Sequence, residues 1–276
     1  MHTTRPYPAD RHTEPPPSTR KTVTTSGADR KNAANRRFLA ERRTGLVEWM
    51  DRSDCDPVRL HNTYRYFPVI NALISRWDAI YRRLIRPGLR HGIRYRLLDV
   101  GSGGGDIARN LHRRARRDGF QLDVTGIDPD PRALKYARSG TDSEPGLRFL
   151  QTDTTRVREK GDTYDIVVCN HVLHHLPDEN IPGFLDDLAA LARHRVICSD
   201  IERSAIGYAL FSVATWPLFP NSFIRADGLI SIRKSFHKEE LQSIAPSGWR
   251  VFRQFPFRLL ALYDHQHATR QDLSAE

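Results

Sequence analysis

The residues best suited to chemistry fall in a few short clusters between positions 97 and 200. In "LLDVGSGGGDIARNL", Leu97 to Leu111, Asp99 leads Gly101, Gly103 and Gly105 at two-residue spacing. Glycines there let a ligand meet the backbone with no Cβ in the way. Asp99 narrows the ligand: a carboxylate at the mouth of such a turn repels a pyrophosphate and suits a molecule carrying cationic groups. The dinucleotide spacing G-x-G-x-x-G fits poorly, because its third glycine would fall on Asp106 or on Ala108. In "VTGIDPDPRALKYAR" an apolar run ends at Asp128, where a carboxylate can accept both hydroxyls of a ribose. "FLQTDTTRV" brings Asp153 to the end of another run, within reach of an adenine amino group. "YDIVVCNHVLHHLPDE" ends its run at Asn170, followed by His171, His174 and His175, and a later run ends at Asp200.

These clusters need strands to carry them. The apolar runs at 96–100, 122–128, 147–153, 164–170 and 194–200 read as strands. "DIARNLHRRARRDG", "DPRALKYARS" and "DENIPGFLDDLAALAR" read as amphipathic helices between them. Val/Ile/Leu strands alternating with helices predict a parallel sheet covered on both faces. "WRVFRQFPFRLLALYD" adds two strands joined at "FPF", giving an α/β, Rossmann-like sheet of seven mostly parallel strands. Residues 93–276 form this domain, with an apolar insert at about 203–235, expected to be a helix and a loop. Residues 36–92 read as a helical extension acting as a lid. "NRRFLAERRTGLVEWM" would set Phe38, Leu39, Leu46 and Met50 on one helical face, and Asp56 with Pro57 would start the next helix. Pro68 is expected to break or kink this run, and Pro87-Gly88 to end it.

The 276-residue chain carries a formal charge of +10, but residues 1–43 hold ten Lys or Arg against four Asp or Glu. Residues 1–35 are rich in Pro, Thr and Arg and too poor in apolar side chains to order themselves, so a disordered basic tail is expected. That tail has no apolar segment of the secretory kind. The three cysteines, Cys55, Cys169 and Cys198, form no CxxC pair and suit a reducing cytoplasm. The apolar stretch Ser204 to Ile224 is interrupted by Pro217 and Pro220, so no membrane-spanning helix is expected, although transient contact with a membrane surface is one reading of it. No metal site is expected, because spacing puts no carboxylate or thiolate beside His174 and His175.

Taken in order, the clusters resemble the motifs of class I S-adenosylmethionine-dependent methyltransferases, above all the small-molecule group that includes the ubiquinone- and menaquinone-type enzymes. The resemblance covers about residues 96–200 and extends to the closing "FHKEELQSIAPSGWRVF". It implies S-adenosyl-L-methionine as cofactor, with Asp99 and Gly101 at its methionine end and Gly103 and Gly105 making the close backbone approach. Asp128 would bind the ribose, Asp153 and Thr154 would lie by the adenine, and Asn170 and His171 beneath the ligand. Ser102 and Pro129 complete the cofactor-binding set.

Strand four lacks the D/N-P-P-Y/F run of base N-methyltransferases, and no nucleic-acid-binding module is attached, so a nucleic acid partner is not expected. The implied reaction is methyl transfer to a small, lipophilic, hydroxylated acceptor such as a phenol, polyketide or quinone, as in secondary metabolism. O-methylation leads, C-methylation on a quinone-like ring follows, and a nicotinamide-binding oxidoreductase is the competing class. His171 or His174 would act as base or acceptor contact, Asp200 is a further catalytic candidate, and Arg233 is a contact for an anionic acceptor. Tyr64, Tyr66, Phe67, Trp77, Phe211, Trp216, Phe219 and Phe223 would either form the cores of the flanking segments or line a lid. The sequence specifies no oligomeric state.

Overall fold

Runs that are aliphatic on both sides of the pleat form the middle of one sheet. The computed structural model describes residues 39–139 and 144–265. Its strands are β1 (Arg94–Val100), β2 (Gln121–Asp128), β3 (Leu147–Gln151), β4 (Tyr164–Asn170), β5 (Ala192–Ile201), β6 (Arg250–Gln254) and β7 (Arg258–Asp264), in the order β3-β2-β1-β4-β5-β7-β6. β1 to β5 pair in parallel, and β7 runs antiparallel to both β5 and β6. This is the expected Rossmann-like sheet.

Besides a single helical turn at Trp77–Ile80, the helices are α1 (Pro57–Ile70), α2 (Asp106–Arg117), α3 (Pro131–Arg138), α4 (Thr154–Glu159), α5 (Ile181–Leu191), α6 (Ala205–Ala214), α7 (Ile224–Lys234) and α8 (Lys238–Ile244). Neighbouring strand residues point to opposite faces. Leu97, Val168 and Ile197 therefore pack with Ile107 and Leu111 of α2. Leu98, Val167 and Val196 pack with Leu185 and Leu188 of α5. The strand order turns back between β1 and β4, where ligands bind in open α/β sheets. Asp99, Asp128, Asn170 and Asp200 all lie at or one residue from their strands' carboxyl ends.

Three local expectations are corrected. Pro68 does not break α1 but sits within its last turn. The Asn71 N–H reaches the Phe67 and Pro68 carbonyls, and the chain continues through wider five-residue turns at Asn71–Ser75 and Tyr81–Ile85. Residues 39–48 are not helical, and only Trp49–Asp51 makes a short turn. Their backbone groups bond to other elements instead: Arg43 N–H to the Arg233 carbonyl, and the carbonyls of Leu39 and Ala40 to the Arg203 guanidinium. The insert forms two helices, α6 and α7, rather than one. The expected basic tail, 1–35, and Phe38 lie outside the described residues. Among the described residues no helix is long and apolar enough to cross a membrane.

Candidate cofactor and acceptor site

A cavity of about 620 Å³ opens at the carboxyl ends of β1, β2, β4 and β5, and Asp99, Gly101, Ser102, Gly103, Asp128 and Pro129 line one side of it. Asp99 is 1% exposed, and its Oδ2 has no hydrogen-bond partner among the described residues. Burial, reinforced by the charge of Asp106, pushes its carboxyl well above the usual range. A buried, half-satisfied carboxylate costs free energy that a cationic ligand group would recover. The Gly103 N–H donates to Asp128 Oδ2 (2.8 Å) and the Asp130 N–H to Asp128 Oδ1 (2.9 Å). Each Asp128 oxygen therefore accepts one backbone donor and keeps a lone pair for a diol hydroxyl. Gly103 has φ +50 and open space where a Cβ would stand.

Gly105 has a different role. It does not line the cavity; its φ is +77, and a Cβ there would lie 2.5 Å from the Phe149 ring. Gly105→Ala is expected to lower stability by about 2–4 kcal/mol, combining left-handed strain and overpacking, as measured by urea denaturation. Asp153 caps α4, its Oδ1 accepting from the Arg156 N–H at 2.9 Å. Neither Asp153 nor Thr154 is among the cavity's lining residues. Their placement by the adenine is thus not part of the geometry that joins Asp99 to Asp128.

Asn170 and His171, at the end of β4, line the middle of the cavity. Both bond to a residue the sequence had not singled out. Arg258, 0% exposed at the start of β7, donates to His171 Nε2, Asn170 Oδ1 and Ser199 Oγ, each at 2.8 Å. Asn170 also donates to Asn71 Oδ1 (3.1 Å), and Asn71 donates to Asp106 Oδ2 (2.9 Å), which ties the end of α1 to the glycine turn. Burial and the neighbouring Arg258 charge hold the His171 imidazole well below the usual histidine range. It is neutral, and its Nε2 lone pair is already occupied.

His174 has the opposite character. Its Nδ1 lies 2.6 Å from Asp200 Oδ1 and its Nε2 lies 3.4 Å from Glu48 Oε1, all three groups buried. Burial alone would lower its pKa, but the charges and bonds of Asp200 and then Glu48 raise it to about 9. Burial would likewise raise Asp200 and Glu48, yet His174 holds both carboxyls far below their usual range, His175 and Lys234 adding to the effect on Glu48. Neither histidine stands ready as a free neutral base.

Glu48, His174 and His175 lie close enough to share a cation, so a carboxylate absent from the local spacing arrives from the distant N-terminal segment. Lys234 already supplies positive charge there, with its Nζ 3.4 Å from Glu48 Oε1 and 3.2 Å from His175 Nδ1.

Residues 97–195 match a family described as a methyltransferase domain. Among curated relatives, the ubiquinone biosynthesis O-methyltransferase of Aeromonas salmonicida is 32% identical over 122 residues, covering 43% of this chain and 48% of the relative. The enzyme of the same description from Vibrio cholerae serotype O1 is 28% identical over 185 residues, covering 65% of this chain and 63% of the relative. The chain thus spans less than two-thirds of either. The plantazolicin methyltransferase BpumL, solved in complex with SAH, matches with a TM-score of 0.56 at 14% identity, over 84% of this chain and 97% of that one. Residues 97–195 are thus similar to a methyltransferase domain, and the chain shares the fold of that solved methyltransferase.

The far wall of the cavity is mostly apolar. Phe67, Leu73, Leu210, Phe211, Leu218 and Phe219 come from α1, the turn after it, α6 and the link to α7. Of the other aromatics named from sequence, Tyr64 also lines the cavity, and Tyr66 packs edge-on to Phe219. Trp77 and Phe223 are each 2% exposed and belong to the core, whereas Trp216 is 76% exposed. Arg233 is not on the wall. The N-terminal segment closes over this side, where Asp227 of α7 accepts from the N–H groups of Trp49 (2.8 Å) and Met50 (3.0 Å).

Proposed function

We propose that the protein transfers a methyl group from S-adenosylmethionine to a small, lipophilic, hydroxylated acceptor, with O-methylation ahead of C-methylation. The observation that carries this reading is the continuity of one cavity. Asp99, with an unpartnered buried oxygen, and Asp128 lie at one end, suited to a cationic nucleoside, and an apolar chamber lies at the other. The description of the two curated relatives as O-methyltransferases supports oxygen as the atom methylated.

When bound, the cofactor supplies an electrophilic methyl on a sulfonium. Transfer to an acceptor oxygen would leave the C–S electron pair on sulfur, and a proton still on the acceptor would have to be lost before the acceptor is enclosed. The protein's own part is positioning. Asp99 and Asp128 would hold the ammonium and ribose ends, Asn170 and His171 would form the floor, and the walls from α1 and α6 would exclude water and align the acceptor. Alignment of this kind can lower a barrier by about 7–11 kcal/mol in favourable cases. The occupied His171 and the protonated His174 support a mechanism without a histidine base, so His174 and Asp200 act here as a buried charged pair beside the acceptor.

The test is incubation of the protein and cofactor with a panel of phenols and hydroquinones, read by mass spectrometry. An oxygen-methylated product is expected. Binding of NAD with no binding of S-adenosylhomocysteine would sink the reading, and methyl found on ring carbon would move it to C-methylation.

A further inference from the structure

Arg258 differs from the other buried cations of the structure. Arg203, 1% exposed, is bonded to three backbone carbonyls and to Glu240, and Lys234 has Glu48. Arg258 donates only to neutral partners: an imidazole, an amide oxygen and a hydroxyl. Among the described residues no carboxylate forms an ion pair with it, and its Nε–H is buried without an acceptor.

Each neighbouring element offers little compensation. From β5, the Asp200 charge does reach Arg258, but Asp200 Oδ1 is bonded to the His174 ring and the Ile201 N–H, and its Oδ2 accepts the His174 N–H. From β4, His171 is neutral. Glu48, on the N-terminal segment, is engaged by Ser231 and Lys234. Burial lowers the guanidinium only to about 10, so it is charged at neutral pH. A buried charge without a counter-charge is unfavourable, and this one lines the ligand cavity.

We propose that Arg258 binds an anionic oxygen of the methyl acceptor, so that the acceptors of this protein are phenols or acids that enter as phenolates or carboxylates. This rests on the methyl-transfer reading and narrows it. Position in the sheet separates the guanidinium from the cofactor's anchors. Arg258 is paired in register with Ile201 at the far end of β5, whereas Asp99 and Asp128 stand on β1 and β2, with β4 between. The state of the histidines agrees: His171 Nε2 already faces Arg258 and His174 is held protonated between Asp200 and Glu48, whereas an acceptor that arrives ionised needs no base. Arg is also suited to the recognition of a carboxylate or phenolate, because its charge persists in a buried site.

Calorimetry on the full protein loaded with S-adenosylhomocysteine tests this with three probes: 4-nitrophenol at a pH where it is ionised, benzoate, and the neutral nitrobenzene. At least one anion is expected to bind tenfold or more tightly than nitrobenzene, and the preferred anion tells phenolate from carboxylate. Arg258→Met is expected to remove that preference, bringing anion affinity down at least tenfold relative to nitrobenzene, and Arg258→Lys to restore part of it. Equal binding of all three probes to the unaltered protein overturns the proposal without any variant having to fold. An Arg258→Met protein that keeps the anion preference but loses S-adenosylhomocysteine affinity also overturns it, by assigning the guanidinium to the cofactor's carboxylate. If the unaltered protein fails to bind S-adenosylhomocysteine, the methyl-transfer reading itself falls.

Discussion

Asp200→Ala is expected to lower the unfolding free energy by about 3–5 kcal/mol, the usual cost of removing one partner of a buried charge pair. Asp200 is 1% exposed and holds His174 twice, through the ring Nδ1 at 2.6 Å and through the backbone N–H at 3.1 Å. Its loss would leave a buried imidazolium with only Glu48, at 3.4 Å, as counter-charge.

The same cluster sets a pH dependence with two limbs. Asp200 and Glu48 titrate below their unfolded values in the folded protein, so their contribution is complete above the ordinary carboxylate range. It is lost as pH falls through their depressed values. His174 is raised to about 9, so its contribution is complete below the unfolded histidine value of about 6.5 and is lost as pH rises toward 9. The stability difference between the parent and Asp200→Ala, from urea denaturation across pH, should therefore be greatest from roughly pH 5 to 6.5 and shrink on the alkaline side. A variant as stable as the parent at pH 6, or a difference unchanged on the alkaline side, would mean that the pair is not coupled as described.

Where a site residue was legible in the sequence, its cue was local. Asp99 and Asp128 each end an apolar run and meet a glycine turn or a Pro-containing helix start within a few positions, and both stand on the cavity. Asp153 shows the limit of that cue, since a carboxylate before a helix is equally suited to capping it, and α4 uses it so. Glu48 and Arg258 carried no local cue. Arg258 reaches His171 across 87 residues of sequence, and Glu48 reaches His174 only because the N-terminal segment is laid against α7. That segment also explains the missed helix. The apolar spacing of Leu39, Leu46 and Met50 is helical on its own, but its backbone donors found acceptors on α7. Pairing between distant segments outweighed a propensity worth only tenths of a kcal/mol per residue.

Asp128→Ala is expected to weaken S-adenosylhomocysteine binding by about 100-fold in calorimetry. Hydrogen bonds to a charged acceptor are each worth about 1.5–3 kcal/mol, and the loss of two to a ribose diol corresponds to two decades or more in affinity. A second contribution comes from the loop. The carboxylate also holds the N–H groups of Gly103 and Asp130, so truncation frees the turn that must lie against the ligand. Asp128→Asn separates the two effects: its amide oxygen can still accept one of these N–H groups but no longer both, and the charge is gone. An Asn variant about as weak as Ala assigns the loss chiefly to the charged contact with the ligand, and an intermediate value assigns a share to the loop. Burial, only partly offset by the two backbone donors, raises the Asp128 carboxyl above its usual range. Affinity should accordingly fall on acidification sooner than an exposed carboxylate would allow, and this slope should vanish in Asp128→Asn. Parent-like affinity in both variants would place the ribose elsewhere in the cavity.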